Sequence, residues 1–422
     1  MRAMKDSGIP WIGEIPEGWN IDRLQVALQE IVEKNSPIKT DYILSLTNNR
    51  GVIPYTDKGD VGNKSKDNLE EYKVAYPNTI VANSMNILIG SVGICDYYGC
   101  VSPVYYVFQA TEKGSLRFFN YIMSSEPFQK HLRQYANGIL EIRLRLSSSN
   151  ILKRYVPFPS LAEQQRIAEF LDSKCAEVDE MIALQEQIIE ELKAYKQSVI
   201  TEAVTKGLNP AAPMKDSGIK WIRQIPYHWN IVAPKALFSQ RKEKATEGQR
   251  QLTSSQQYGI IYQDEYCEIT GNKVVTVIKD FDILKQVQAG DFVISMRSFQ
   301  GGLEYSTKSG SISSAYVMLI PNLNYVYPRF YRWLFKSICY INALQSTSNM
   351  VRDGQAMRFA NFVQVPLYQV PLKEQESIAD FLDEKCADID SLIQTKQSKI
   401  DSLKEYKKSI IYEYVTGKRE VE

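Results

Sequence analysis

Met4–Asn20 reads MKDSGIPWIGEIPEGWN and Met214–Asn230 reads MKDSGIKWIRQIPYHWN, with 12 of 17 positions identical at an offset of 210. A second pair, EQQRIAEFLDSKCAEVD from Glu163 and EQESIADFLDEKCADID from Glu374, agrees at 11 of 17 positions at an offset of 211. In a chain of 422 residues these offsets mean one half written twice. Self-similarity at a fixed spacing sets the architecture before any local reading, and this spacing is far too long for a solenoid.

Between the matched blocks the halves diverge, yet echoes remain. NTIVANSMN (Asn78) stands against GDFVISMRS (Gly290), GCVSPVYYV (Gly99) against GSISSAYVM (Gly310), and LRFFNYIMSS (Leu116) against PRFYRWLFKS (Pro328). Short runs of Tyr, Val and Ile broken by Gly, Ser and Asn predict mixed sheet. The segments at Leu116 and Pro328 read as amphipathic helices. One fold carrying two different surfaces is expected.

The end of each half differs in kind. Leu171, Cys175, Val178, Ile182, Gln185, Ile189, Leu192, Lys196, Val199 and Ala203 follow steps of four and three, and so do Leu382, Cys386, Ile389, Ile393, Lys396, Ile400, Leu403, Lys407, Ile410 and Tyr414. No Pro or Gly interrupts either series, so each is a heptad seam on a long helix. Polar breaks recur at matched places, Gln185 with Lys396 and Lys196 with Lys407, where they can set register. Residues 163–205 as one helix span about 65 Å at ~1.5 Å per residue. Two such helices, each with one apolar stripe, bury it against one another, and a duplicated chain with pseudo-twofold symmetry makes them antiparallel.

The expected fold is therefore α+β. Two pseudo-twofold related mixed α/β domains, residues 1–158 and 211–370, are separated by two long antiparallel coiled-coil helices in residues 159–210 and 371–422. Lys plus Arg against Asp plus Glu gives 18 to 16 and 18 to 11 for the two domains, and 5 to 10 and 9 to 12 for the helical segments. The domains are thus +2 and +7 and the helices −5 and −3, so a polyanion meets the domains.

With 44% hydrophobic and 23% charged residues the chain is of ordinary globular composition. No apolar run reaches the roughly 18 residues of a membrane span, and MRAMKDSGIPWIG lacks a signal-peptide core, so a cytoplasmic location is expected. Cys95, Cys100, Cys175, Cys267, Cys339 and Cys386 form no CxxC pair and only His131 and His228 could assist, which argues against zinc and for free thiols. No phosphate-binding GxxxxGK[ST] loop, dinucleotide GxGxxG, amino-methyltransferase motif or nuclease Pro-Asp opening occurs. His228 has Gly18 as its twin, and both histidines read as structural or surface residues. The expectation is a chain without catalytic or metal residues and without a cofactor of its own.

Binding residues are more evident. Arg pairs bidentately with guanine and Asn or Gln with adenine. The first domain offers Asn48, Asn49 and Arg50, then Asn83, Ser84 and Asn86, then Arg133, Arg143 and Arg145. The second offers Gln256, Gln257 and Tyr258, then Arg297, Ser298 and Gln300, then Arg352 and Arg358. Equivalent loops with different donors suit two readouts from one scaffold. Trp11, Trp19, Trp221 and Trp229 could stack on bases but, beside Ile and Pro, read as local core. Cys175 and Cys386 read as small buried apolar groups.

Taken together, the W-I-G-x-I-P-x-x-W block, a variable domain, a Pro-rich lead to E-Q-x-x-I-A-x-F-L-D and LKxYKxS at Leu192 and Leu403, all repeated, resemble the specificity subunit of type I restriction-modification systems. The resemblance covers essentially the whole chain. It implies that the variable regions are target recognition domains, each reading half of a bipartite, asymmetric double-stranded DNA sequence, with the helices as a ruler. It implies docking of two methyltransferase subunits that bind S-adenosylmethionine and methylate adenine, with ATP- and Mg-dependent nuclease (restriction) subunits as further partners. Two other classes fit the bare sequence: a bivalent protein-binding scaffold, and a cryptic nuclease or methyltransferase.

Overall fold

The computed structural model describes residues 2–47, 50–59, 68–136, 144–274, 283–295, 298–347 and 357–421. Two long helices, Leu161–Lys206 and Leu372–Val415, occupy the positions of the heptad seams. The chain divides into two compact units, one of residues 1–186 with 397–422 and the other of residues 187–396. The division does not follow the four sequence segments, because it falls inside each long helix.

In the first unit a four-stranded antiparallel sheet has the order Leu28–Ile31, Tyr105–Ala110, Thr79–Asn83, Val92–Cys95. The second unit repeats it with Phe238–Arg241, Val317–Pro321, Phe292–Ile294 and Glu304–Tyr305. Register is matched too: Glu30 lies opposite Phe108 and Gln240 opposite Leu319. Isolated bridges repeat as Lys34 with Lys73 and Lys244 with Lys285. Helices Leu116–Ser124 and Pro328–Lys336 form at the predicted amphipathic segments, and their apolar faces (Phe118, Phe119, Ile122; Phe330, Tyr331, Leu334) are buried.

Each unit's core takes in parts of both long helices. The first joins Trp11, Ile15 and Trp19 to Ile167 and Leu171 of the first helix and to Ile410, Tyr414 and Val415 of the second. The second unit joins Ile225 and Trp229 to Ile378 and Leu382, and to Ile200, Ala203 and Val204. Within each unit the helices run antiparallel. Lys407 Nζ donates to Asp179 at 2.6–2.7 Å while the Tyr414 ring lies tilted against Phe170 at 4.5 Å, so the second helix advances as the first recedes. In the second unit Lys196 Nζ donates to Asp390 at 2.7 Å, and Gly207 lies beside Glu374.

Both breaks at Lys196 and Lys407 therefore hold matched interhelical ion pairs, and in the other matched pair Gln185 is buried and Lys396 half-buried. Buried seam residues include Cys175, Val178, Ile189, Cys386, Ile389 and Ile400, with Ile182, Leu192, Val199, Ile393 and Leu403 half-buried.

The repeated blocks meet within each unit. Trp19 Nε1 donates to Glu163 Oε2 at 2.9 Å, and Trp229 Nε1 donates to Glu374 Oε2 at 3.1 Å. Fully buried Gln164 accepts from Ser115 N at 2.8 Å and donates to the carbonyls of Lys113 and Pro159 at 3.2 and 3.0 Å. Gln375 does the same with Tyr327 N, Tyr325 O and Val370 O at 2.7, 2.8 and 2.7 Å. The Glu-Gln pair thus pins the start of each long helix to the opening block and to the lead into the amphipathic helix. Each long helix ends on a left-handed glycine, Gly207 (φ 75°) or Gly417 (φ 73°). A Cβ on Gly417 would come within 2.5 Å of Pro16 and 3.0 Å of Trp19, so only glycine seats that turn against the opening block.

Candidate nucleic-acid interface

In the first unit a hairpin, Leu44–Thr47 with Gly51–Pro54, lies over the last two sheet strands. Gly93 is its contact point: a Cβ there would come within 3.1 Å of Gly51 Cα. Gly93 pairs with Val81, and Asn83 N donates to Ser91 O at 3.0 Å. The hairpin tip and the turn after Asn83 are consequently neighbours. Leu146 N donates to Ser84 O at 3.0 Å and Tyr106 Oη to Leu146 O at 3.0 Å, which brings Arg145 to the same end of the sheet. Burial pushes the Tyr106 phenol up, nearby Glu30 adds to the rise, and Arg145 opposes it.

This arrangement gathers Arg50, Asn86 and Arg145 as exposed side chains on adjoining loops. Arg50 Nη2 donates to Asp57 O at 2.6 Å, which orients its guanidinium. Asn83 and Ser84 are buried, and Asn83 Oδ1 accepts from Met85 N at 3.0 Å, so Asn83 shapes the turn. Arg133 is exposed in the last turn of helix Glu126–Arg133. Asn48, Asn49 and Arg143 lie outside the described residues.

The second unit builds the equivalent end differently. Gln256, Gln257 and Tyr258 are exposed at the tip of the hairpin Leu252–Ser255 with Gly259–Tyr262. Tyr258 meets Tyr266 edge-on at 6.2 Å. The Gln256 amide crosses the short helix Ser298–Gly301, where a Cβ on Gly301 would come within 2.9 Å of its Nε2. Ser298 is fully buried and its Oγ accepts from Ser295 N at 2.8 Å, a local cap. Arg358 is exposed beside a groove considered below. Arg297, Arg352 and the Gln300 side chain lie outside the described residues.

The tryptophans are core elements. Trp19 and Trp229 are buried, Trp11 meets Phe128 edge-on at 5.3 Å, and Trp229 stacks on Tyr368 at 5.1 Å. His131 sits between Trp11 and Tyr135, and burial with nearby Arg154 holds its pKa below the ordinary histidine value. His228 Nε2 lies 2.8 Å from Glu374 Oε2, joining the Trp229 latch. Buried Cys95 and Cys100 are each pushed up to about 11 by burial, which makes them poor nucleophiles at neutral pH. Among the described residues no group of three metal-binding side chains converges and no helix is long and apolar enough to cross a membrane.

One feature of the sheet end escaped the sequence reading: Lys73 and Lys285 occupy matched bridges, with their ammonium groups held by the carbonyls of Tyr105 and Tyr316 at 2.7 Å each. Only the register of the two halves, compared strand by strand, marks them as a pair.

Residues 16–194 match the family model of the type I restriction modification DNA specificity domain. A putative type I restriction enzyme MjaX specificity subunit of Methanocaldococcus jannaschii is 23% identical over 96% of this chain and 95% of its own length. Residues 16–194 are thus similar to the DNA specificity domain of type I systems, and the chain as a whole is similar to a protein named as a specificity subunit. Among solved structures, a chain from work on complex assembly and conformational transition of a type I R-M system superposes with a TM-score of 0.70 at 15% identity, covering 95% of this chain and 98% of that one. The HsdS subunit of Thermoanaerobacter tengcongensis gives a TM-score of 0.54 at 15% identity, over 96% and 98%. These likenesses show the fold, with its mixed domains and long helices. The matched family model is that of a DNA specificity domain, and the relative that spans the chain is named as a specificity subunit.

Proposed function

We propose that each unit reads one half of a bipartite, asymmetric duplex sequence through the loop end of its sheet, and that the long helices set the unspecified gap. The observation that carries this reading is the contrast between scaffold and loops. Strand order, register and the Glu-Gln clamp with its buried glutamine are the same in both units, while the exposed donors differ: Arg50, Asn86 and Arg145 in one, Gln256, Gln257, Tyr258 and Arg358 in the other. Duplicated architecture with altered donors is what two unlike half-sites demand. Phosphate contacts from Lys and Arg supply most affinity, and loop amides and guanidinium groups select bases. Two modestly binding heads on one chain bind paired half-sites far more tightly than either alone.

Helix continuity supports the spacer role, since Leu161–Lys206 is 46 residues without a break, about 69 Å at ~1.5 Å per residue. The outer helix surface supports docking of two identical partners. Leu161 with Leu372, Met181 with Leu392, and Tyr195 with Tyr406 are large exposed apolar side chains at matched positions in the two repeats. In this reading the partners are two methyltransferase subunits, which bind S-adenosylmethionine, joined in the full assembly by ATP- and Mg-dependent restriction subunits in the cytoplasm.

The test is the map of methylated adenines in host DNA with and without this chain. The reading expects a two-part motif with a fixed gap that vanishes on deletion. A seven-residue insertion after Gln185, matched after Lys396, changes the gap and keeps both half-sites. Altered half-sites with an unchanged gap refute the spacer role.

A further inference from the structure

The two sheets differ at one register-matched site next to the reading loops. In the first unit the Lys73 ammonium, besides its bond to Tyr105 O, lies 3.7 Å from Glu30 Oε1 and 4.9 Å from the Tyr106 ring centroid. In the second unit Lys285 keeps the matching bond to Tyr316 O, but Gln240 stands where Glu30 does and Val317 where Tyr106 does. Both partners of the cation are gone. An ammonium has three donors, and one is accounted for by Tyr316 O.

What replaces the carboxylate is open space with more positive charge. A groove of about 600 Å³ is lined by Lys235, Lys285 and Arg358 together with Gln240, Ser314 and Phe359, and among the described residues no acidic side chain lines it. Half-buried Lys285 is held below the ordinary lysine pKa by burial alone, the state of a cation that an anion would relieve. The groove abuts the reading end of the sheet, since Val317 on its wall pairs with Ile294, immediately before the turn at Ser295–Ser298. The second domain is also the more basic one, +7 against +2 from the counts above.

We propose that this groove binds one phosphate group of the DNA backbone, clamped by Lys235, Lys285 and Arg358, and that the first domain lacks the equivalent clamp because Glu30 fills its place. The proposal rests on the DNA-recognition reading and deepens it: the two heads grip the backbone unequally. Arg358 contributes a planar pair of donors and the two lysines contribute point charges, a set suited to a phosphate's oxygens.

The experiment is a fluorescence-anisotropy titration of the full chain against a random-sequence 40-base-pair duplex at several KCl concentrations. Gln240→Glu installs the first domain's carboxylate beside Lys285 without removing a side chain from the core. It should weaken binding roughly tenfold near 100 mM KCl and lower the slope of log K against log[KCl] by about one. The triple variant Lys235→Gln, Lys285→Gln, Arg358→Gln should do at least as much with an unchanged melting profile. Affinity and slope equal to the unaltered chain in both variants overturn the clamp. Failure of the unaltered chain to bind duplex even near 50 mM KCl removes the recognition reading itself, a different result from binding that ignores the groove.

Discussion

Replacing Gln164 by Met keeps chain length and volume but removes a buried amide that makes three hydrogen bonds, to Ser115 N, Lys113 O and Pro159 O. Each lost bond in a fully buried site costs on the order of 1 kcal/mol, because the orphaned backbone groups cannot turn to water, so Gln164→Met should cost about 3 kcal/mol in the first unit. The damage should be local. Hydrogen exchange with mass spectrometry should show faster exchange at Ser115 and through the first turns of helix Leu161–Lys206. The counterpart amide at Tyr327, held by Gln375 at 2.7 Å, should keep its protection. A urea titration followed by Trp fluorescence should show an earlier onset for the variant. If Ser115 keeps its protection and the urea profile is unchanged, the repeated Glu-Gln pair is not a clamp and the packing argument for the repeat fails.

Three further outcomes follow from the same geometry. The Lys407–Asp179 pair is exposed at Asp179, so a double-mutant cycle with Lys407→Ala and Asp179→Ala should give only about 0.5 kcal/mol of coupling, and the same at Lys196–Asp390. The Arg241–Asp291 pair is buried and bidentate, at 2.6 and 2.9 Å, so Asp291→Ala should cost roughly 3–5 kcal/mol by stranding the guanidinium, whereas Arg241→Met with Asp291→Leu should recover most of the melting temperature. His131 has a folded pKa below its unfolded value, so the unfolded chain binds the proton more readily; stability is full above about pH 6.5 and falls as pH drops through the histidine range. His131→Phe should flatten that part of a melting-temperature profile between pH 7 and 5.

Much of the architecture was legible because the repeat ties distant segments together. The seams at Leu171 and Leu382 needed only periodicity, and the antiparallel sense followed from duplication. The Trp19–Glu163 and Trp229–Glu374 latches were within reach, since both partners lie in blocks that repeat when their surroundings do not. Yet a glutamate and a tryptophan 144 residues apart carry no local signal, and Glu163 reads as a solvated helix residue. The candidate loops come together as regions, but not every polar residue in them faces outward. Asn83 and Ser298 look like base-reading donors in sequence, but short polar side chains at turns bond first to their own backbone. The contrast between Glu30 and Gln240 was invisible until strand register aligned them, because flanking identity there is too low to place one against the other.

The first unit draws on both ends of the described chain: Lys418 Nζ donates to the carbonyl of Ile12, at 2.5 Å, and Tyr412 Oη to those of Trp11 and Ile12 at 3.2 Å. The second unit is one unbroken stretch, residues 187–396. During translation, therefore, the half made later has all its parts first. The half made earlier waits with an open hydrophobic flank, at Trp19, Leu171 and their neighbours, until Ile410, Tyr414 and Gly417 leave the ribosome to close it. Any stop codon near position 396 should spare the later half and leave the earlier one a target for chaperones and proteases.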